Sequence, residues 1–205
     1  MNKIIKRAKN NVVNQKRKYL FLTIIMTIGI ISGIIFIFFI SKEDKSLVKQ
    51  ELELLFSNIK DNKLNYGNSL INSVSSSLVY LSIIWILGVS IIGIPVVIFM
   101  LFLKGFVFGF SISSIIANYG FNGVILGFIT QIPSNLILLI IYLLMGFYAI
   151  NFSIRLFQVL FFKKEVNLSF YFKRYNEIAL ISLGCIVIAS LAETFLIPFL
   201  VKFFL

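Results

Sequence analysis

Two ionisable side chains, Lys104 and Glu193, stand inside long apolar stretches of this sequence, and few other groups are placed to do chemistry. Glu193 is the only acid deep in such a run, with Pro198 five residues later. A carboxyl group there is a candidate for proton relay or substrate binding, because charge inside a membrane is costly and tends to mark function. The structural alternative is a protonated carboxyl near a helix end, hydrogen-bonded to Gln131 or Asn135, since burial disfavours the charged form. No second acid lies in another apolar run to share its proton, which argues against aspartyl-type catalysis. The chain has no histidine and one cysteine, Cys185, so an internal disulfide and a His- or Cys-rich zinc site are excluded. No catalytic residue, metal ligand or cofactor is expected, and the chain reads as a non-enzyme.

The elements that must hold these groups are membrane helices. Of the 205 residues, 59% are hydrophobic and 13% charged, a balance that a soluble domain of this length could not bury. The fold class is all-α, a polytopic integral membrane protein of about five transmembrane helices forming one membrane domain, with lipid as its surroundings. The formal charge of +11 comes from 19 bases and 8 acids, and the bases flank apolar segments rather than forming a soluble face. Membrane-flanking charge therefore explains it better than nucleic-acid binding.

At the centre, the apolar run from Leu78 to Ala117 is 40 residues long, twice what one crossing needs. Its natural break is Lys104-Gly105, where an ammonium at a helix end could reach the headgroups. This predicts a Gly- and Pro-containing helical hairpin with arms over 78–103 and 105–130, turning at a membrane surface, with Pro95 kinking the first arm. The second arm is interrupted near Gly120, and a shorter helix followed by a re-entrant piece is the alternative for 118–135. Pro133 opens the next span, over 132–154, because proline suits a first helical turn.

The remaining segments give the topology. Lys3, Lys6, Arg7, Lys9, Lys16, Arg17 and Lys18, with no acid among them, place the N-terminus in the cytoplasm. The first span covers 19–40 and contains Gly29 and Gly33, a GxxxG spacing that serves close packing inside the protein or pairing of two copies. Segment 41–77 has five bases and five acids and is expected outside the cytoplasm. Within it Leu47, Val48, Leu52, Leu55, Phe56 and Ile59 form the stripe of an amphipathic helix. That stripe can lie on the membrane, pack on the bundle or receive a partner, and Leu52, Leu55 and Phe56 are the candidate partner-binding residues. The loop 155–178 carries Arg155, Lys163, Lys164, Lys173 and Arg174 against Glu165 and Glu177, hence is cytoplasmic. A last span over 179–201 leaves the C-terminus outside.

The run WILGVSIIGIPVVIFMLFLKGFVFGF, the stretch Gln131 to Leu136, and Ala192-Glu193 with Pro198 resemble stage II sporulation protein M of endospore-forming bacteria, and the likeness covers nearly the whole chain. In one respect the chain departs from the wider family. Many members have a histidine and an acid just after the proline matching Pro133, where this chain has Ser134, with Leu138 among the residues that follow. Any polar chemistry at that position is not carried over. The resemblance implies a scaffold in the mother-cell septal and engulfing membrane that holds two peptidoglycan-degrading proteins, stage II sporulation proteins D and P, during forespore engulfment. The alternative is a small transporter or channel subunit, which the Gly-rich helices, the prolines and Glu193 allow. Against it stand an odd number of spans and almost no charge to line a pathway.

Overall fold

In the computed structural model, polar side chains cap the N-termini of three helices. The structure describes residues 2–163 and 167–204, with side chains from Gln15 onward. The side chains of Lys3, Lys6, Arg7 and Lys9, and residues Lys164 and Glu165, lie outside that part. Helix α1 runs Asn2–Phe39. Ser41 then caps α2 (Lys42–Lys60) by accepting from the Asp44 amide at 3.1 Å, with Glu43 and Asp44 in the first turn and Lys60 in the last to match the helix dipole. Asn65 caps α3 (Tyr66–Gly88) and Asn167 caps α5 (Leu168–Leu191), each accepting an amide three residues on at 3.2 Å. A π-helical turn, Ala192–Leu196, joins α5 to α6 (Ile197–Phe204).

Helix α4 spans Gly93–Phe162 and is two helices meeting at Gly120, whose φ of 57° and ψ of −130° only glycine adopts readily. The chain reverses there: Gly123 faces Ile115 and Ile116, and Gly127 faces Ile112. Further from the turn, Gly146 faces Leu101. All described elements are helical, and four helices are long and apolar enough to cross a membrane, the 70-residue α4 among them.

The break expected at Lys104-Gly105 is therefore not there. The chain turns first at 89–92, between α3 and α4, and again at Gly120, so the helical units are 66–88, 93–119 and 121–162 rather than 78–103, 105–130 and 132–154. Gly93 makes the first turn possible, since a β-carbon there would collide with the Leu87 carbonyl oxygen. Pro95 falls in the first turn of α4, where amides lack helical partners anyway, so it does not kink the helix. Pro133 lies inside the second arm instead of opening a helix, as membrane helices allow when neighbours pack around the proline. Of the connection expected over 155–178, residues up to Phe162 continue α4 and those from Leu168 belong to α5. Charges at a membrane edge do not end a helix, whereas the left-handed Lys163 (φ 48°) and the Asn167 cap do. The polar segment 41–77 likewise includes the first turns of α3.

Helix α1 lies along the first arm of α4 in the same direction. Gly29 and Gly33 face the backbone of Phe102, Phe106 and Phe110, while Gly105 and Gly109 face that of Met26 and Ile30. Two GxxxG motifs thus interlock within one chain. The main core joins Leu22, Met26, Ile84, Leu101, Tyr142, Met145, Tyr175 and Ile186. A smaller one, at the other end, gathers Phe56, Ile59, Ile115, Leu126, Ile197 and Val201.

Candidate functional site: an inner lysine and an outer groove

Lys104 sits near the middle of the first arm of α4, half-buried, with its ammonium 5.3 Å from the ring centroid of Tyr142 and 5.7 Å from that of Tyr80. The two rings are 4.7 Å apart and come from α3 and the second arm of α4. Both phenols are held by backbone: Tyr80 donates to the Met100 carbonyl, and Tyr142 donates to that of Ser77 at 3.2 Å. Their negative ring faces stand where an acid would otherwise be needed. This is the reason a charge can occupy mid-helix here rather than a turn.

Glu193 lies in the π-helical turn, exposed on the bundle surface, and accepts from the Ser73 hydroxyl at 2.6 Å. Ser73 also lies 3.1 Å from Ser190. The expected partners Gln131 and Asn135 bond each other instead, Asn135 donating at 3.0 Å along one helix face. Along α3 the residues Ser73, Ser77 and Tyr80, spaced by four and three, line up between the acid and the base. One face of α3, a third helix, thus carries both contacts, the Ser73 hydroxyl on Glu193 and the Tyr80 ring beside Lys104. The serine-rich run NSVSSS was its only sequence signal.

At the other end α2 packs on α4 near the Gly120 turn. Phe56 is 5% exposed and meets Tyr119 edge-to-face at 5.3 Å, with Ile59 buried beside it. Phe56 is therefore an anchor of α2 to the bundle and is not free to bind a partner, because the apolar stripe is wider than the contact it makes. Leu52 is half-buried against the same cluster, while Leu47, Leu54 and Leu55 are 58%, 57% and 48% exposed. These leucines, with Glu51 and Asn58, form one wall of a groove of about 710 Å³. The other wall is Phe110, Ser114, Ile115 and Gln131. The Ser114 hydroxyl is buried and has no hydrogen-bond partner among the described residues. Of the candidate partner-binding residues, Leu52 and Leu55 line this groove and Phe56 does not. Leu47 of the same stripe joins them, as does Leu54, which the amphipathic pattern does not select.

A family described as stage II sporulation protein M matches residues 21–198 of the chain by its sequence model. No curated protein and no solved structure matches it.

Proposed function

The chain belongs to the stage II sporulation protein M family, and from that premise we propose that it works as a non-enzymatic membrane scaffold. It recruits peptidoglycan-degrading proteins, stage II sporulation proteins D and P by the family resemblance, to the septal and engulfing mother-cell membrane. In this reading five crossings alternate, with the basic N-terminus in the cytoplasm and α2 outside. The observation that carries it is the groove beside α2: exposed leucines, a polar rim and an unpartnered buried hydroxyl, on a helix held to the bundle by Phe56 and Ile59. A buried leucine contributes roughly 1.5–3 kcal/mol to such an interface. The test is co-purification of the two partners from sporulating cells with wild type and with a Leu47→Ser, Leu54→Ser, Leu55→Ser variant. The variant should accumulate normally and lose both partners; full recovery of the partners on the variant would refute the docking site.

A second reading, a transporter or channel subunit, is favoured by Lys104 at mid-helix and by the exposed Glu193, which meet the same helix α3 at Tyr80 and Ser73. Solute or proton flux in proteoliposomes that disappears on Lys104→Met decides for it.

A further inference from the structure

At the end of the bundle opposite α2, cations from three separate parts of the sequence, Arg17 beside Lys18 among them, line two adjoining cavities that share Arg155. Lys18 comes from α1, Arg155 from the second arm of α4 and Arg174 from α5. Lys18 is half-buried and donates to Asn151 Oδ1 at 2.8 Å; the Arg155 guanidinium lies 5.0 Å from the Tyr171 ring centroid. These contacts fix both cations without neutralising them. Lys18 and Arg155 are close enough for their charges to repel. The ion pairs among the described residues, Lys49 with Glu53 and Lys63 with Asp61, are in and just after α2, at the far end. The cationic cavity has a volume of about 450 Å³, and no described residue lining it is acidic.

Flanking charge that only orients a membrane protein need not converge in this way, and it need not adjoin an apolar slot. Here it does. Gln15 borders the cationic cavity and also another of about 350 Å³, which beyond Lys16 at its edge is lined by Tyr19 and Leu20 of α1 and Phe147 of the second arm of α4. Polar and cationic at one end and apolar along a membrane helix at the other, the groove matches one molecule with a phosphodiester head and an acyl tail. We propose that it is a binding site for an anionic phospholipid, with the phosphate between Lys18 and Arg155 and a chain running past Tyr19 and Phe147.

The experiment uses the full-length protein in neutral detergent, with phosphatidylglycerol, phosphatidylcholine or inorganic phosphate added, read by thermal unfolding and by native mass spectrometry of retained lipid. Phosphatidylglycerol should raise the unfolding temperature and stay bound, phosphatidylcholine should do so far less, and inorganic phosphate should not substitute. Lys18→Gln with Arg155→Gln should lower the preference for the anionic lipid by roughly thirtyfold, at about fivefold per lost cation. Lys18→Arg with Arg155→Lys should keep that preference, and Lys42→Gln with Lys45→Gln, on α2, should leave it unchanged. Equal response of the wild type to both lipids overturns the site whatever the variants do. Stabilisation by phosphate alone equal to that by the lipid, or undiminished preference in the glutamine variant, also overturns it.

Discussion

Gly109 packs so closely on Ile30 that a β-carbon at Gly109 would sit inside the van der Waals envelope of the Ile30 carbonyl oxygen. The obstacle is backbone, which cannot rotate away. Gly105 stands in the same relation to Met26, and Gly29 and Gly33 to Phe102 and Phe106. In lipid, where apolar burial does little to bring helices together, this close approach is the main source of α1–α4 affinity. The sequence pattern left open whether the GxxxG of α1 pairs two copies or packs inside one; its partner motif is Gly105 and Gly109 of the same chain.

Leucine at Gly109 should therefore separate α1 from α4. Gly109→Leu is expected to lower stability by about 1–3 kcal/mol or more, as overpacking does, and to reduce accumulation in the membrane. Gly184→Ala, with open space where the added methyl group would stand, is the control and should melt near the wild type. Thermal unfolding in detergent compares the two, and equal melting would mean that the helices do not depend on this contact.

Gly120 tests a different cause. No atom lies within 4 Å of where a β-carbon would be, so alanine meets no clash there. The penalty is conformational, about 1–3 kcal/mol for a side chain held at φ 57° and ψ −130°. Gly120→Ala should destabilise by that amount, and Gly120→Asn should not rescue it, because asparagine favours the left-handed helical region, where ψ is positive. A stable Asn variant would mean that the hairpin turns with another backbone geometry.

The helical membrane class, the close helix contact at Gly29 and Gly33 and the interruption at Gly120 were all legible in the sequence, because each follows from residue type at one place. The break near Lys104 was misplaced because hydropathy treats a lysine as a boundary. The rings that accommodate it, Tyr80 and Tyr142, lie 24 and 38 residues away in the sequence, and no local window includes them. The true turn was signalled more weakly, by Ser90, Gly93 and Pro95 within an unbroken apolar run. Glu193 stands out in the sequence as an acid within an apolar run, but its partner Ser73 is 120 positions distant. The stripe on α2 showed which residues meet an apolar surface and not which surface: Phe56 meets the bundle and Leu47 does not.

Lys104 gives a prediction in which magnitudes decide the sign. Two ring contacts contribute about 0.5–2 kcal/mol each, while withdrawing an ammonium from water costs several. Lys104→Met should thus accumulate and melt like the wild type or slightly above it. Lys104→Glu should accumulate poorly, since it puts an anion against two negative ring faces. Immunoblotting of membranes and a detergent melt read both variants, and loss of the Met variant would show that the charge itself holds the three helices together.

On α2, folding and recruitment should come apart between neighbouring residues. Phe56 is buried against Tyr119 in the cluster that also holds Ile115 and Val201, so Phe56→Ala leaves a cavity and should cost about 3–5 kcal/mol of local stability. Helix α2 should then detach: its amides should exchange with deuterium faster and added protease should cut near Lys60, while the membrane helices stay intact. Leu55 is half exposed, so Leu55→Ser should leave exchange in α2 close to the wild type. Under the scaffold reading both variants fail to retain the wall-degrading partners, Phe56→Ala because the wall of the groove has moved and Leu55→Ser because its surface has changed. Only the second should fail with an intact α2. If Leu55→Ser, even combined with Leu47→Ser and Leu54→Ser, keeps its partners while Phe56→Ala loses them, recruitment depends on the placement of α2 and not on its exposed leucines. The contact surface would then be sought on the polar face, at Lys49, Glu53 and their neighbours.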